Sequence, residues 1–346
     1  MLRFGKIMAG LAGVAALAGL AYPAAAQDYS MPGVATTKVG EAELSIGGGL
    51  SRLDLPDIRF GYRSGPSGNR EYANSNGFED EFGGSLTGQL VIPWGSTTAL
   101  ALGGFWSGID QDKGVRCEAN GVQSCEASNL TGVNASAPVG VDLRERAKRD
   151  VDHWGTQLEG RYYMQGAPGN AFVNTSYVAL GGDIRQINQD TRINFSTLSG
   201  LDAGSYKESL DTDYYGAYVA IGGEYHLPFF ENFKSGLGLE SGFKAYAGLY
   251  AVDSDYNGRV PGNSLGLSTD DTAFIGGLTL ETRKQFTPRT SLSLESTYEY
   301  ISWVPEMQYS NSNTGQSTTI DDTDAFASRT MLRLNVGLGP DGLYYK

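Results

Sequence analysis

The chain has 346 residues and a formal net charge of −13, from 39 acidic and 26 basic side chains, with 48 glycines and 20 tyrosines. So large an acidic surplus repels polyanions, which argues against nucleic acid as a partner. After the N-terminus no window approaches the 18 to 20 unbroken apolar residues of a spanning helix, because Gly, Thr, Ser and charged residues interrupt every hydrophobic segment.

In chain order, Arg3 and Lys6 precede an apolar stretch from Ile7 to Ala21, then Tyr22-Pro23 and Ala24-Ala25-Ala26. This is the pattern of a secretory signal peptide over residues 1–26, with cleavage expected after Ala26. Its removal takes two basic and no acidic side chains, leaving 39 acidic against 24 basic and a net charge of −15. Residues 27–39 carry no periodic pattern.

From Gly40 the sequence alternates with period two, Leu44, Ile46 and Leu50 opposing Glu43, Ser45 and Gly47. That is a strand with one apolar and one polar or tiny face. The next segments put Phe82, Leu86, Leu90 and Ile92, then Leu100, Leu102 and Trp106, on the apolar side. The same grammar predicts strands on Trp154/Leu158/Tyr162/Met164, Phe172/Val178/Leu180/Ile184, Tyr215/Val219/Ile221/Tyr225/Leu227 and Leu237/Leu239/Phe243/Leu249. Phe274/Leu278/Leu280/Phe286, Leu292/Leu294/Tyr298/Tyr300 and Phe326/Leu332/Leu334/Val336/Leu338 complete ten strands.

The connections alternate in length. Short turns are expected at Pro93–Ser96, Gly166–Asn170, Pro228–Lys234 and Thr287–Arg289, and long polar loops near 53–79, 110–149, 188–210, 253–270 and 305–323. Over residues 40–339 the chain resembles bacterial outer-membrane β-barrel proteins as a general class. The resemblance implies an all-β fold: a transmembrane, antiparallel, up-and-down barrel of about ten strands with short periplasmic turns and long extracellular loops. It makes residues 27–39 a periplasmic segment, residues 40–346 the barrel, and the outer membrane the location. Trp94, Phe172, Leu227, Phe229 and Phe286 are expected as an aromatic belt at the short-turn end, and Trp106, Trp154, Tyr215, Tyr250 and Trp303 as one at the long-loop end. A soluble β-sandwich is the competing fold, and the two belts weigh against it.

The opposite parity carries Glu43, Glu159, Asp183, Glu224, Glu240, Glu281, Glu295 and Glu299 together with Arg161, Arg185, Lys244, Arg283, Arg329 and Arg333. In a narrow barrel these acids and bases are expected to pair and fill the lumen, since a buried unpaired charge is costly. A narrow porin-like passage for small solutes or ions is the alternative. Cys117 and Cys125, close together in an exported chain, read as a disulfide stapling the second long loop.

Beyond the apolar band, the lipid-facing parity continues into acid at Asp110 and Asp112, Asp150 and Asp152, Asp211 and Asp213, and Asp253 and Asp255. The bland reading is Asp punctuating strand ends. The functional one is a rim of hard ligands taking structural Ca2+ or Mg2+ against anionic lipopolysaccharide; no other cofactor is expected.

The omptin proteases are also ten-stranded barrels, and Asp152-His153 falls at the rim, but adjacent residues diverge and no second inward acidic pair follows, so no enzyme is expected. His226, near the short-turn end, is expected beside lumen carboxylates. Mid-strand glycine pairs such as Gly181-Gly182 and Gly222-Gly223 read as relief of crowding. The sequence thus points to a structural or surface-interaction barrel contacting outer-membrane lipid and lipopolysaccharide, its long loops offered to an extracellular partner.

Overall fold

The computed structural model describes residues 42–56, 61–64, 70–72, 82–119, 121–127, 135–136, 139–164, 173–197, 202–225, 237–260, 263–308 and 318–338. The expected signal peptide, the segment 27–39 and His226 lie outside these residues.

Ten strands close into one antiparallel barrel: β1 (Glu43–Asp54), β4 (Gly83–Pro93), β5 (Thr98–Cys117), β8 (Leu143–Tyr163), β9 (Val173–Thr197), β10 (Asp202–Tyr225), β11 (Leu239–Val260), β12 (Asn263–Thr287), β13 (Thr290–Gln308) and β14 (Thr319–Gly337). Each pairs with its sequence neighbour in the ring, and β1 closes it by pairing with both β4 and β14. Four short strands, β2 (Gly61–Ser64), β3 (Arg70–Tyr72), β6 (Ser124–Ala127) and β7 (Ala135–Ser136), form a second sheet in the order β3-β2-β6-β7. This sheet joins the β1–β4 connection to the β5–β8 connection through the β2–β6 ladder.

Two of the five expected long loops are strand instead. The β9–β10 ladder continues to Ser196 opposite Asp202, and the β11–β12 ladder to Val260 opposite Asn263. β9 and β12 are each 25 residues long, where a tilted membrane strand needs about 9–11. The barrel therefore rises well beyond the bilayer.

Its pattern changes sides as it does so. In the lower part Leu158, Leu180, Val219, Leu249 and Leu332 point outward and are exposed, while charged and polar side chains are buried inside. Higher on the same strands Asp190, Arg192 and Asn194 point outward, and Ile187, Ile193 and Phe195 are buried within. A strand leaving lipid for water must present the opposite polarity to its surroundings, so the apolar face moves to the interior.

The outer aromatic belt keeps three of its five expected residues. Trp106, Trp154 and Tyr215 hold outward positions, joined by Phe274, Tyr300 and Phe326. Tyr250 and Trp303 are buried in the interior instead. Both have inward parity: Tyr250 follows outward Leu249, and Trp303 continues the parity of buried Glu299 and Ile301. At the short-turn end Trp94 and Phe286 are exposed as expected for a belt.

The tight β4–β5 turn uses Gly95 at φ 97°, with the Trp94 N–H donating to the Thr98 carbonyl at 2.7 Å. Inside the barrel a Cβ on Gly222 would lie 2.2 Å from the Tyr177 ring. That glycine is what allows a tyrosine of the neighbouring strand to lie across the wall.

Candidate functional site

The lumen is stacked in layers, beginning with charge near the short turns. Arg283 is clamped by Glu43, with Nη1 to Oε2 at 3.2 Å and Nη2 to Oε1 at 3.1 Å, and its Nε donates to Glu281 at 3.3 Å. Above it Glu159 accepts from Arg161 Nε at 2.7 Å, Lys244 Nζ at 2.5 Å and the Tyr218 hydroxyl at 2.9 Å. Glu295 pairs with Arg333. Next, Glu299 receives Arg185, the Tyr246 hydroxyl and Arg329, the last through Nη2 to Oε2 at 2.5 Å, while Arg185 Nε also donates to Asp183 at 2.7 Å.

The twelve charged side chains are buried. Inward parity on seven different strands is what gathers them, because alternate residues of every barrel strand share the lumen. The other two side chains of the expected network stand apart in burial: Glu224 is half-buried and Glu240 exposed, Glu240 lying opposite Arg283 in the β11–β12 register.

Over the charged layers sits an apolar one that the sequence pattern overlooks. Ile109, Val151, Ile187, Tyr214, Tyr250, Val252, Ile275, Ile301 and Trp303 pack together with Leu53 and Leu55 across the barrel. The Tyr214 hydroxyl donates to the Trp303 carbonyl at 3.1 Å, which satisfies the one polar atom that ring brings into the layer.

A thin polar layer follows. Arg149 donates from Nε to Gln111 Oε1 at 2.7 Å and from Nη1 to the Pro56 carbonyl at 2.9 Å, and the Thr212 and Ser254 hydroxyls share a hydrogen bond of 3.0 Å. Higher still, Val115, Leu143, Ala147, Ile193, Phe195, Leu210 and Tyr256 form a second apolar cluster around the Cys117–Cys125 disulfide. The bond joins the end of β5 to β6, and so ties the barrel wall to the second sheet.

Within this upper cluster lies Glu145, fully buried, with neither carboxylate oxygen hydrogen-bonded. It faces Val115 and Phe195 in register. Burial alone holds its carboxyl well above the usual carboxylate range.

On the outer face, cross-strand register brings the rim aspartates opposite one another: Asp110 faces Asp150, Asp150 faces Asp190, Asp211 faces Asp255, and Asp213 faces both Gln186 and Asp253. The rim is also less purely acidic than its aspartates alone suggest, because outward-facing bases on β8 interleave with them. Arg146 Nε donates to Asp112 Oδ1 at 2.9 Å, and Lys148 Nζ lies 3.0 Å from Asp150 Oδ1. The Arg146 hydrogen bond lowers the Asp112 carboxyl below its ordinary value. Asp213 moves the other way, raised first by burial and then by the facing Asp253. Among the described residues no three His, Cys, Asp or Glu side chains converge as a metal site.

His153 is buried on the inner wall, its ring edge-on to Phe105 at 4.8 Å and its backbone opposite Ser107. Asp152 lies on the other face of β8, as the adjacent positions require.

No protein-family model and no curated protein matches this chain. Among solved structures it is similar to the outer membrane protease OmpT from Escherichia coli, at 9% identity over 86% of this chain and 96% of that one, with a TM-score of 0.46. It is also similar to a Pseudomonas aeruginosa FadL homologue, at 10% identity over 86% and 90% with a TM-score of 0.28. A third likeness is to Ail of Yersinia pestis, at 10% identity over 85% and 97% with a TM-score of 0.26. Likenesses this distant carry no argument about function. The closed ring of ten antiparallel strands, apolar outside and charged within over its lower half, is itself the architecture of bacterial outer-membrane β-barrel proteins.

Proposed function

We propose that this protein is exported through a cleaved signal peptide and serves in the outer membrane as a structural or surface-interaction barrel with a closed lumen. The observation that carries this reading is the apolar layer centred on Ile187, Tyr250 and Trp303, which spans the interior directly above the charged network. Ions do not cross a packed apolar layer without displacing its side chains. The part that meets the outside is the tall extension and the second sheet, and these are the surface offered to an extracellular partner.

The rim is the second element of the proposal. Facing pairs such as Asp211/Asp255 and Asp213/Asp253 would hold Ca2+ or Mg2+ between the barrel and the phosphates of lipopolysaccharide. No catalytic step enters the proposal: the His153 ring lies edge-on to Phe105, and the hydroxyl of Ser107, opposite it in register, donates to Ser85.

Planar-bilayer recording of the refolded barrel tests the closed lumen. No unitary conductance is expected above the bare bilayer. Reproducible single-channel steps would overturn the proposal and restore the narrow porin-like channel in its place.

A further inference from the structure

Between the paired charges of the lower lumen lies a cavity of about 90 Å³. Its walls carry five cations, Arg161, Arg185, Lys244, Arg329 and Arg333, and two carboxylates, Glu295 and Glu299. Glu159 and Asp183 pair with three of those cations from just outside the wall, and Glu281 interacts with Arg333, so that five positive charges meet five negative ones.

The hydrogen bonds are less evenly matched than the charges. Four buried donors on the wall have no acceptor: Arg161 Nη1, Arg329 Nε and Nη1, and Arg333 Nε. Against these four donors stands one such acceptor, Asp183 Oδ1, just outside the wall. All three arginines are more than nine-tenths buried. Water brings as many donors as acceptors, so it fits a wall short of acceptors poorly, whereas an anion only accepts. Guanidinium forks suit small anions, above all planar oxyanions taken in a bidentate manner.

We propose that this cavity is a binding site for a small monovalent anion, of halide to nitrate size, held by Arg161, Arg329 and Arg333. The apolar layer above closes the cavity on the long-loop side, so the anion exchanges from the periplasmic side. Phe105, whose ring lies 3.7 Å from the Arg329 guanidinium carbon, keeps that side chain in place over the cavity. The site does not depend on the surface role proposed above, since a barrel with or without conductance could hold it.

The test uses the mature chain refolded in detergent, with thermal unfolding followed as gluconate, too large for the cavity, is exchanged for nitrate at constant ionic strength. Nitrate is expected to raise Tm in a logarithmic fashion once it exceeds its dissociation constant, as any ligand of the native state does. The double variant R329Q/R333Q, with heat-modifiable migration as proof of folding, is expected to lose that rise. Equal Tm in both salts, or an unchanged rise in the folded variant, would overturn the site. If the variant does not fold, crystals of the natural chain soaked in bromide decide: an anomalous peak within hydrogen-bond distance of Arg329 Nε supports the site, and water only overturns it.

Discussion

Ile184 and Ile187 lie three residues apart on β9 and face opposite worlds: Ile184 is 45% exposed on the outer wall, while Ile187 is 1% exposed within the apolar layer that crosses the lumen. The strand reverses its apolar side between them. Ile187→Ala opens a cavity in a packed layer and is expected to cost about 2–5 kcal/mol. Ile184→Ala leaves a dent that lipid fills, so no cavity term arises and the loss is smaller. Urea unfolding of the two variants in lipid vesicles checks the order; an equal loss at both positions would mean that the layer around Ile187 is not packed.

Glu299 is the centre of the middle charged layer, receiving Arg185, Arg329 and the Tyr246 hydroxyl. Glu299→Gln keeps the shape and takes the shared carboxylate from Arg185 and Arg329, of which Arg185 keeps Asp183. Breaking one side of a buried pair costs about 3–5 kcal/mol. Adding Arg329→Met to that variant removes one of those charges, so the double variant is expected to be more stable than the sum of the two single losses predicts. Strict additivity in the unfolding free energies would show that the two side chains do not interact.

Glu145 makes the upper barrel sensitive to pH in an unusual direction. Its carboxyl is raised by burial, so the folded state keeps it neutral over a range where the unfolded chain, with a value near 4.5, has already released the proton. Its contribution to stability is fully present below about 4.5 and is lost as pH rises through the higher folded value. Glu145→Leu is therefore expected to raise stability at neutral pH, with the gain shrinking toward zero below that value. Unfolding of both proteins across the pH range reads this out, and a constant gain at every pH would assign the effect to packing instead of titration.

The lower half of this architecture is legible in the sequence because lipid outside and charge inside keep one phase of alternation, as in Leu292, Leu294 and Tyr298 against Glu295 and Glu299. The upper half is not. There Ile193 and Phe195 continue the opposite parity to Leu180 and Ile184, and their outward neighbours Asp190 and Arg192 look like loop residues. A pattern search that follows one apolar phase ends where the phase inverts, which is why strand was expected to be loop over 188–210 and 253–270. The acids of the rim are visible as residue pairs, and Lys148 reaches Asp150 along its own strand, but Arg146 meets Asp112 only through the β5–β8 pairing. Likewise the β2–β6 ladder joins two loops far apart in the chain, and no local signal encodes it.

The two readings of the rim predict opposite responses to neutralisation. Asp213 and Asp253 face each other across the β10–β11 ladder, as do Asp211 and Asp255, and like charges directly opposite weaken a sheet. The carboxyl of Asp213 is raised first by partial burial and then by the facing Asp253. With no cation present, converting Asp211, Asp213, Asp253 and Asp255 to Asn should therefore stabilise the barrel, most at low salt where screening is weakest. If Ca2+ or Mg2+ bridges these carboxylates to lipopolysaccharide phosphates, the natural chain should lose thermal stability when a chelator is added to lipopolysaccharide-containing membranes. The Asn variant should then be indifferent to the chelator. The proposal of a cation-bridged rim expects the second pattern. Equal indifference of both proteins to the chelator, with the variant more stable throughout, would leave the aspartates as mid-strand residues whose repulsion the sheet merely tolerates.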